Sequence, residues 1–313
     1  MDTSAPVRSL GRSGDASARR PSGPQAGSDV VRSVVGGLPT TSGDLVRPLT
    51  TRRIASTVLL TAVLGLLPAG LAEGAGARPE RSRSVKAPGF DTCETPTVET
   101  MQAWRDSPYK VVGIYVAGDN RACKSTRLTF DWVKAVHRQG WDFLPIQVGL
   151  QAPCTQSGKP GRIDPARAAE QGIAEANDAV DRSATLGFRP GSAVWYDMEA
   201  YDNTDAGCRA AVLDFVSAWS DRVRERGYVA GYYSSLSSGI ADLIEAVDKR
   251  SIPDAVWYAR WDGHAATTGD GALPDGYWRG RRVHQYAGNV SETHGGQRIV
   301  IDRNAVDGPV GVL

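Results

Sequence analysis

Trp195-Tyr196-Asp197-Met198-Glu199 closes an apolar run that starts at Ser192-Ala193-Val194, and it sets two carboxylates two residues apart. A short run of this kind reads as a strand, whose side chains alternate with period two. Asp197 and Glu199 therefore project from the same side of it. Two carboxyls held close together near a core repel one another, and burial favours the proton on at least one of them. A strand that ends in such a pair is equipped to keep one acid protonated and the other ionised.

Outward from this strand, similar apolar pieces recur at residues 89–92, 111–116, 143–148, 193–196, 229–233, 255–261, 283–286 and 298–301. Helix-like pieces lie between them at 97–105, 128–138, 165–186, 210–226 and 240–247. In one, Leu128, Trp132, Val133 and Val136 fall at helical spacing. In another, Asp164 reads as an N-cap with Pro165 at the first helical position, and Gly227 follows the end of a third. Eight strands alternating with helices predict an α/β fold, a (β/α)₈ TIM-type barrel over residues 87–313. Gly, Asp and Thr dominate between Trp261 and Arg281, so the later helices are expected to be irregular.

Residues 1–53 are rich in Ser, Gly, Pro and Arg without a sustained period, and read as a disordered extension. The positive flank Arg52-Arg53, a short apolar core and a small-residue tail make residues 54–77 a signal peptide, followed by a charged linker at 78–86. The apolar run is shorter than the ~20 residues of a membrane span, so no stable span is expected after cleavage. Thr50-Thr51-Arg52-Arg53-Ile54 resembles a twin-arginine signal, and translation starting near Val46 would give an ordinary export signal. The chain is expected to be secreted or cell-wall associated, by Sec or twin-arginine export. With 313 residues, a formal net charge of +1 and no basic stripe with interleaved aromatics, nothing points to nucleic acid.

The four cysteines, Cys93, Cys123, Cys154 and Cys208, all fall within the predicted exported domain. An even count in an oxidising compartment favours two disulfides, with three possible connectivities. The sequential pairing, Cys93 with Cys123 and Cys154 with Cys208, is expected because it ties neighbouring loops on one barrel face. No CxxC occurs and His137, His264, His284 and His294 are scattered, so neither a zinc site nor any other cofactor is expected.

Active sites of such barrels form at the carboxyl ends of the strands. Reading those ends in order gives Asp91, Tyr115, Gln147, the Asp197/Glu199 pair, Tyr233, Trp261, Gln285 with Tyr286, and Asp302. Aromatic faces suit the C–H surfaces of sugars, and amides or carboxylates suit hydroxyl and N-acetyl groups. A lone Asp91 or Asp302 can instead cap a helix, and Trp257, Tyr258 and Trp261 can belong to the core. A bound divalent cation is the rival use for the acidic pair. No GxSxG is present to support serine chemistry.

Gly89-Phe90-Asp91-Thr92-Cys93, Trp195-Tyr196-Asp197-Met198-Glu199, and His284-Gln285-Tyr286 with Ile301-Asp302 resemble a family of secreted actinobacterial proteins. That family carries a glycoside-hydrolase-like domain and is similar in layout to the family 25 lysozymes, which cleave the peptidoglycan glycan. Val112-Gly113-Ile114-Tyr115, Tyr233-Ser234-Ser235 and the segment 148–154 also look like that group, and the resemblance covers residues 87–313. It implies a barrel with Glu199 as general acid, Asp197 as its partner, and Asp91 and Asp302 as further acids of the cleft. The expected ligand is a cell-wall polysaccharide, either hydrolysed or bound without catalysis.

Overall fold

The computed structural model describes residues 82–313. The expected N-terminal extension, signal segment and first part of the linker lie outside the described residues. Eight strands close a barrel in chain order: β1 (Ser84–Asp91), β2 (Val111–Ala117), β3 (Asp142–Gln147), β4 (Ala193–Asp197), β5 (Val229–Ser235), β6 (Ala255–Ala259), β7 (Arg282–His294) and β8 (Gln297–Pro309). Residues 84–86 were expected in the linker. They belong to β1 because Ser84, Val85 and Lys86 pair with Pro309, Gly308 and Asp307.

Strands β1 to β7 are parallel along their shared edges, whereas β8 runs antiparallel to both β7 and β1. The expected last β–α unit is thus replaced by a hairpin. Its turn, Gly295-Gly296, has φ of 53° and 77°, a left-handed pair that glycine adopts without steric cost. The hairpin arms are 13 residues each and continue past the barrel. No helix lies between β6 and β7 among the described residues, in keeping with the Gly- and Asp-rich sequence there.

The helices are α1 (Val98–Ala103), α2 (Phe130–Arg138), α3 (Ala168–Thr185), α4 (Ala206–Glu225) and α5 (Ala241–Ala246). Their starts are written in capping side chains. Thr97 Oγ1 accepts from the Thr100 amide at 3.1 Å, and Thr129 Oγ1 from the Trp132 amide at 3.1 Å. Asp164 caps a short 3₁₀ turn (Pro165–Arg167) rather than α3 itself, so the helix expected from Pro165 begins three residues later. Asp205 accepts from the Gly207 and Cys208 amides, which starts α4 at Ala206.

Each strand divides its side chains between the interior and the helices. Val111, Leu144, Ile146, Ala193, Trp195, Ala255, Trp257, Val283 and Val306 fill the barrel. Tyr196 points the other way and packs on Phe215 and Trp219 of α4, with ring centroids 5.0 and 4.8 Å away. Phe90 likewise packs outward on Trp104, Tyr109 and Trp141. Bulky interior indoles need room, and Gly231 supplies it: a Cβ there would lie 2.5 Å from the Trp195 ring. The disulfides are Cys93–Cys123 and Cys154–Cys208, as the sequential pairing predicted.

Candidate active site

Above Trp195 the barrel opens into a cavity of about 230 Å³ at the carboxyl ends of the parallel strands. Asp91, Asp197, Glu199 and Asp302 all line it, together with Tyr115, Tyr233, Trp257, Trp261 and Gln285. The four acids expected on one rim do converge on one space.

Each acid reaches it by a traceable route. Asp197 ends β4 on the same face as Ala193 and Trp195, which turns its carboxyl inward. Glu199 lies two residues past the end of the strand, so alternation alone does not place it. Gln151 does: its Nε2 donates to the Asp197 carbonyl at 2.8 Å, and its Oε1 accepts from the Glu199 amide at 2.8 Å. Asp91 ends β1 beside Gly113, where a Cβ would come within 2.6 Å of the Asp91 Cβ. Asp302 was read as the end of a parallel strand. Because β8 runs antiparallel it enters at the rim instead, and Asp302, Asn304 and Val306 then descend along one inward face.

A hydrogen-bond network joins these groups. Asp91 Oδ1 accepts from Asn304 Nδ2 at 2.7 Å and Gln285 Nε2 at 3.2 Å, and its Oδ2 accepts from the Tyr115 hydroxyl at 3.0 Å. Gln285 Oε1 accepts from the Tyr233 hydroxyl and from Trp261 Nε1, both at 3.0 Å. Asn304 Oδ1 accepts from Trp257 Nε1 at 2.8 Å, which ties the site to the barrel interior. Asp302 Oδ1 accepts from the Asn289 amide at 2.6 Å. Asp197 differs, for its buried Oδ1 has no hydrogen-bond partner among the described residues. Glu199 Oε1 is 3.3 Å from the Lys159 ammonium.

These environments raise three of the acids. Burial raises Asp91 to about 7, the Asp302 charge adds to the rise, and the three side-chain donors oppose it. Burial, then the Glu199 charge, push Asp197 well above the usual carboxylate range, with Lys159 pulling against them. Burial also raises Asp302, and the Asn289 amide opposes the rise. A carboxyl held above its ordinary range keeps its proton to higher pH than a free one.

Two expected site residues lie elsewhere. Gln147 points out of the barrel and donates to Glu175 and Asp178 of α3, because Ile146 takes the inward position of β3. Tyr286 neighbours inward-facing Gln285 and lies outside, 6.1 Å from the His284 ring. His284 itself stacks on Tyr258 at 4.3 Å and bonds two backbone carbonyls. Trp261 is 59% exposed and forms the lip of the cavity. Its indole rests over Gly288, where a Cβ would come 2.1 Å from the ring.

Two participants had no site role in the sequence reading. Asn304 falls in the Asp302-Arg303-Asn304 end expected for strand eight, but only the antiparallel direction of β8 aligns it below Asp302. Lys159 lies in the loop Ser157-Gly158-Lys159-Pro160-Gly161, whose composition marks a turn without indicating what its cation meets. Among the described residues, no group of three or more His, Cys, Asp or Glu side chains has the arrangement of a metal site.

The profile of the Rv2525c-like, glycoside hydrolase-like domain matches residues 102–306. No curated protein matches the chain. Among solved structures, an uncharacterized protein of B. stearothermophilus is 21% identical, with a TM-score of 0.49 over 71% of this chain and 96% of that one. The catalytic domain of endolysin ply40, from bacteriophage P40 of Listeria monocytogenes, is 18% identical, with a TM-score of 0.44 over 71% and 93%. The bacterial lysozyme from Streptomyces coelicolor is 15% identical, with a TM-score of 0.43 over 72% and 94%. The profile spans more than half of the chain, and the protein belongs to the Rv2525c-like, glycoside hydrolase-like family.

Proposed function

We propose that the protein hydrolyses a β-1,4-linked amino-sugar glycan of a cell wall, peptidoglycan or a related polysaccharide, outside the cytoplasm. The observation that carries this reading is the convergence of Asp91, Asp197, Glu199 and Asp302 on one cavity beneath an exposed indole. Membership of a glycoside hydrolase-like family supports it, and two disulfides suit an oxidising compartment.

In this reading Glu199 gives its proton to the glycosidic oxygen as the C1–O bond breaks, and a water molecule supplies the hydroxyl that ends on C1. The proton lost by that water returns to the acid cluster. Glu199 suits the donor role because it is the acid that reaches the open side of the cavity, its side chain 35% exposed. Asp197 lies deeper with Oδ1 free, and it accepts the N–H of a 2-acetamido group and orients that group against C1. Asp91 and Asp302 hold the far wall, and Trp261 offers its face to a sugar ring.

A second reading rests on one contact. Lys159 lies on Glu199, so a domain that binds glycan without cleaving it would keep the cleft and leave this ion pair closed. Release of reducing ends from purified peptidoglycan by the full chain separates the two, with Glu199→Gln as control. Turnover by the wild type that the substitution abolishes supports hydrolysis. Equal background release from both proteins, with both retained on insoluble peptidoglycan, would establish the binder instead.

A further inference from the structure

A groove of about 510 Å³ continues from the acid cavity toward β8 and the loop after β1, and it shares Asp91, Tyr115 and Asp302 with that cavity. Its outer walls carry two guanidinium groups, Arg127 and Arg298. Both residues are exposed, and among the described residues neither forms an ion pair. Arg127 Nη1 reaches the Thr95 carbonyl at 3.5 Å, and Arg298 Nε donates to Ser291 Oγ at 2.6 Å, which leaves the remaining N–H donors of both unassigned. Outside the three shared residues the lining holds one carboxylate, Glu94.

The walls are held in place. Cys93–Cys123 ties the loop after β1 to the loop after β2, and Ser125 Oγ donates to the Cys93 carbonyl at 3.2 Å. Thr92 Oγ1 donates to the Val300 carbonyl at 2.9 Å, which joins the same loop to β8. Arg298 stands on the hairpin arm that projects past the barrel, opposite Thr293. Val300, 52% exposed, leaves an apolar surface on this wall, of the kind a sugar's C–H face covers.

We propose that this groove is a subsite for a sugar unit bearing an anionic group, a carboxylate or a phosphate, next to the bond that the acid cavity addresses. The inference rests on the glycan reading above and narrows its substrate class. Arg127 and Arg298 attract a negative substituent, since guanidinium binds carboxylate and phosphate through paired N–H donors. Attraction from these two side chains favours one register for an anionic glycan. A neutral glycan gains only the apolar contact with Val300.

The test is binding by the full chain, followed by tryptophan fluorescence, to three oligosaccharides of equal length. One is a neutral β-1,4-linked N-acetylglucosamine oligomer, one carries a lactyl carboxylate on alternate sugars, and one carries a phosphate monoester. At least one anionic oligomer is expected to bind about tenfold more tightly than the neutral one, with the preference shrinking as salt rises. Whichever anion binds best names the source of the charge. Arg127→Ala with Arg298→Ala should erase the preference and leave the thermal midpoint unchanged, since both side chains are exposed. Arg127→Lys with Arg298→Lys should keep part of it. Equal affinity for neutral and anionic oligomers, or a preference that survives the double alanine variant, would overturn the subsite. An anion preference without any hydrolysis would sink the hydrolase reading and leave the subsite standing.

Discussion

On the β1–β8 side of the cavity, Asp91 receives hydrogen bonds from Tyr115, Gln285 and Asn304, and Asp302 receives them from the Asn289 amide and Gln285 Nε2. On the β4 side, Asp197 Oδ1 receives none, and Glu199 faces solvent and a lysine. All four groups are carboxyls on one rim, but the first two are held by donors while the second two are left available. A carboxyl that accepts several hydrogen bonds is fixed in position. A buried carboxyl without partners costs stability, and such groups are retained where a ligand completes them. In the reading proposed above, the β1–β8 wall holds the cavity's shape and the β4 wall acts on what enters.

The largest effect should come from the available wall. If the proposed hydrolysis holds, Glu199→Gln removes the transferable proton and keeps the shape, so the rate should fall by about 10²–10⁴-fold, the usual worth of a general acid. Its thermal midpoint should stay near wild type, because the side chain is partly exposed and its one ion pair is a surface pair. Initial rates of reducing-end release and a melting curve on the same samples check both halves. A variant that keeps its rate would reverse the assignment of the walls.

Next in size is a difference in stability between two identical substitutions. Asp91→Asn places an amide NH₂ among donors that now meet an acceptor, and should cost about 1–3 kcal/mol. Asp197→Asn disturbs no hydrogen bond at Oδ1 and relieves repulsion from Glu199, so it should be neutral or stabilising. Urea unfolding of the two variants at neutral pH gives the comparison directly. Equal losses would mean that both carboxyls are held alike.

The two walls also differ in how far the sequence reveals them. Asp197 is legible because a strand's period is local, whereas Glu199 is legible only as the D-x-E partner, since it lies past the strand and Gln151 sets its place. Asp91, Tyr115 and Gln285 are legible as strand ends, but the hydrogen bonds that join them are not. Tyr115, Gln285 and Asn304 come from β2, β7 and β8, and only barrel closure brings them together. Asn304 depends further on β8 running antiparallel, which the Gly295-Gly296 pair signals only once a hairpin is considered there. The misplacement of Gln147 and Tyr286 has a single origin. Strand ends were read without register, and a shift of one residue exchanges the two faces. Gln285 and Tyr286 are adjacent, so only one of them could enter the cavity.

A smaller effect follows from protonation. Asp91 titrates near 7 in the folded chain and near 3.8 as an ordinary carboxyl, so the native state holds its proton over a range in which the unfolded chain has lost it. A raised carboxyl contributes stability that is fully present below pH ~4 and is lost as the pH climbs through about 7. Asp197 acts in the same direction. The stability advantage of wild type over Asp91→Asn should therefore shrink between pH 5 and pH 8, by an amount of order one kcal/mol or more. An advantage that grows over that range would mean that the donors around Asp91 outweigh its burial.

The smallest change tests the charge that sits on the available wall. Lys159 and Glu199 are partly exposed, so breaking their contact by Lys159→Ala should move stability by no more than about 1 kcal/mol. Its effect belongs to protonation instead. Lys159 is the cation that opposes the rise of Asp197, and without it Asp197 should hold its proton to higher pH. If Asp197 acts only when ionised, the acid limb of the hydrolysis profile moves upward in Lys159→Ala, and Lys159→Arg restores it. If Lys159 instead closes the site, the substitution raises the rate at every pH without moving either limb. A full pH–rate profile of the three proteins tells the two apart, and the second outcome would make the ion pair a latch on Glu199 rather than a tuning charge for Asp197.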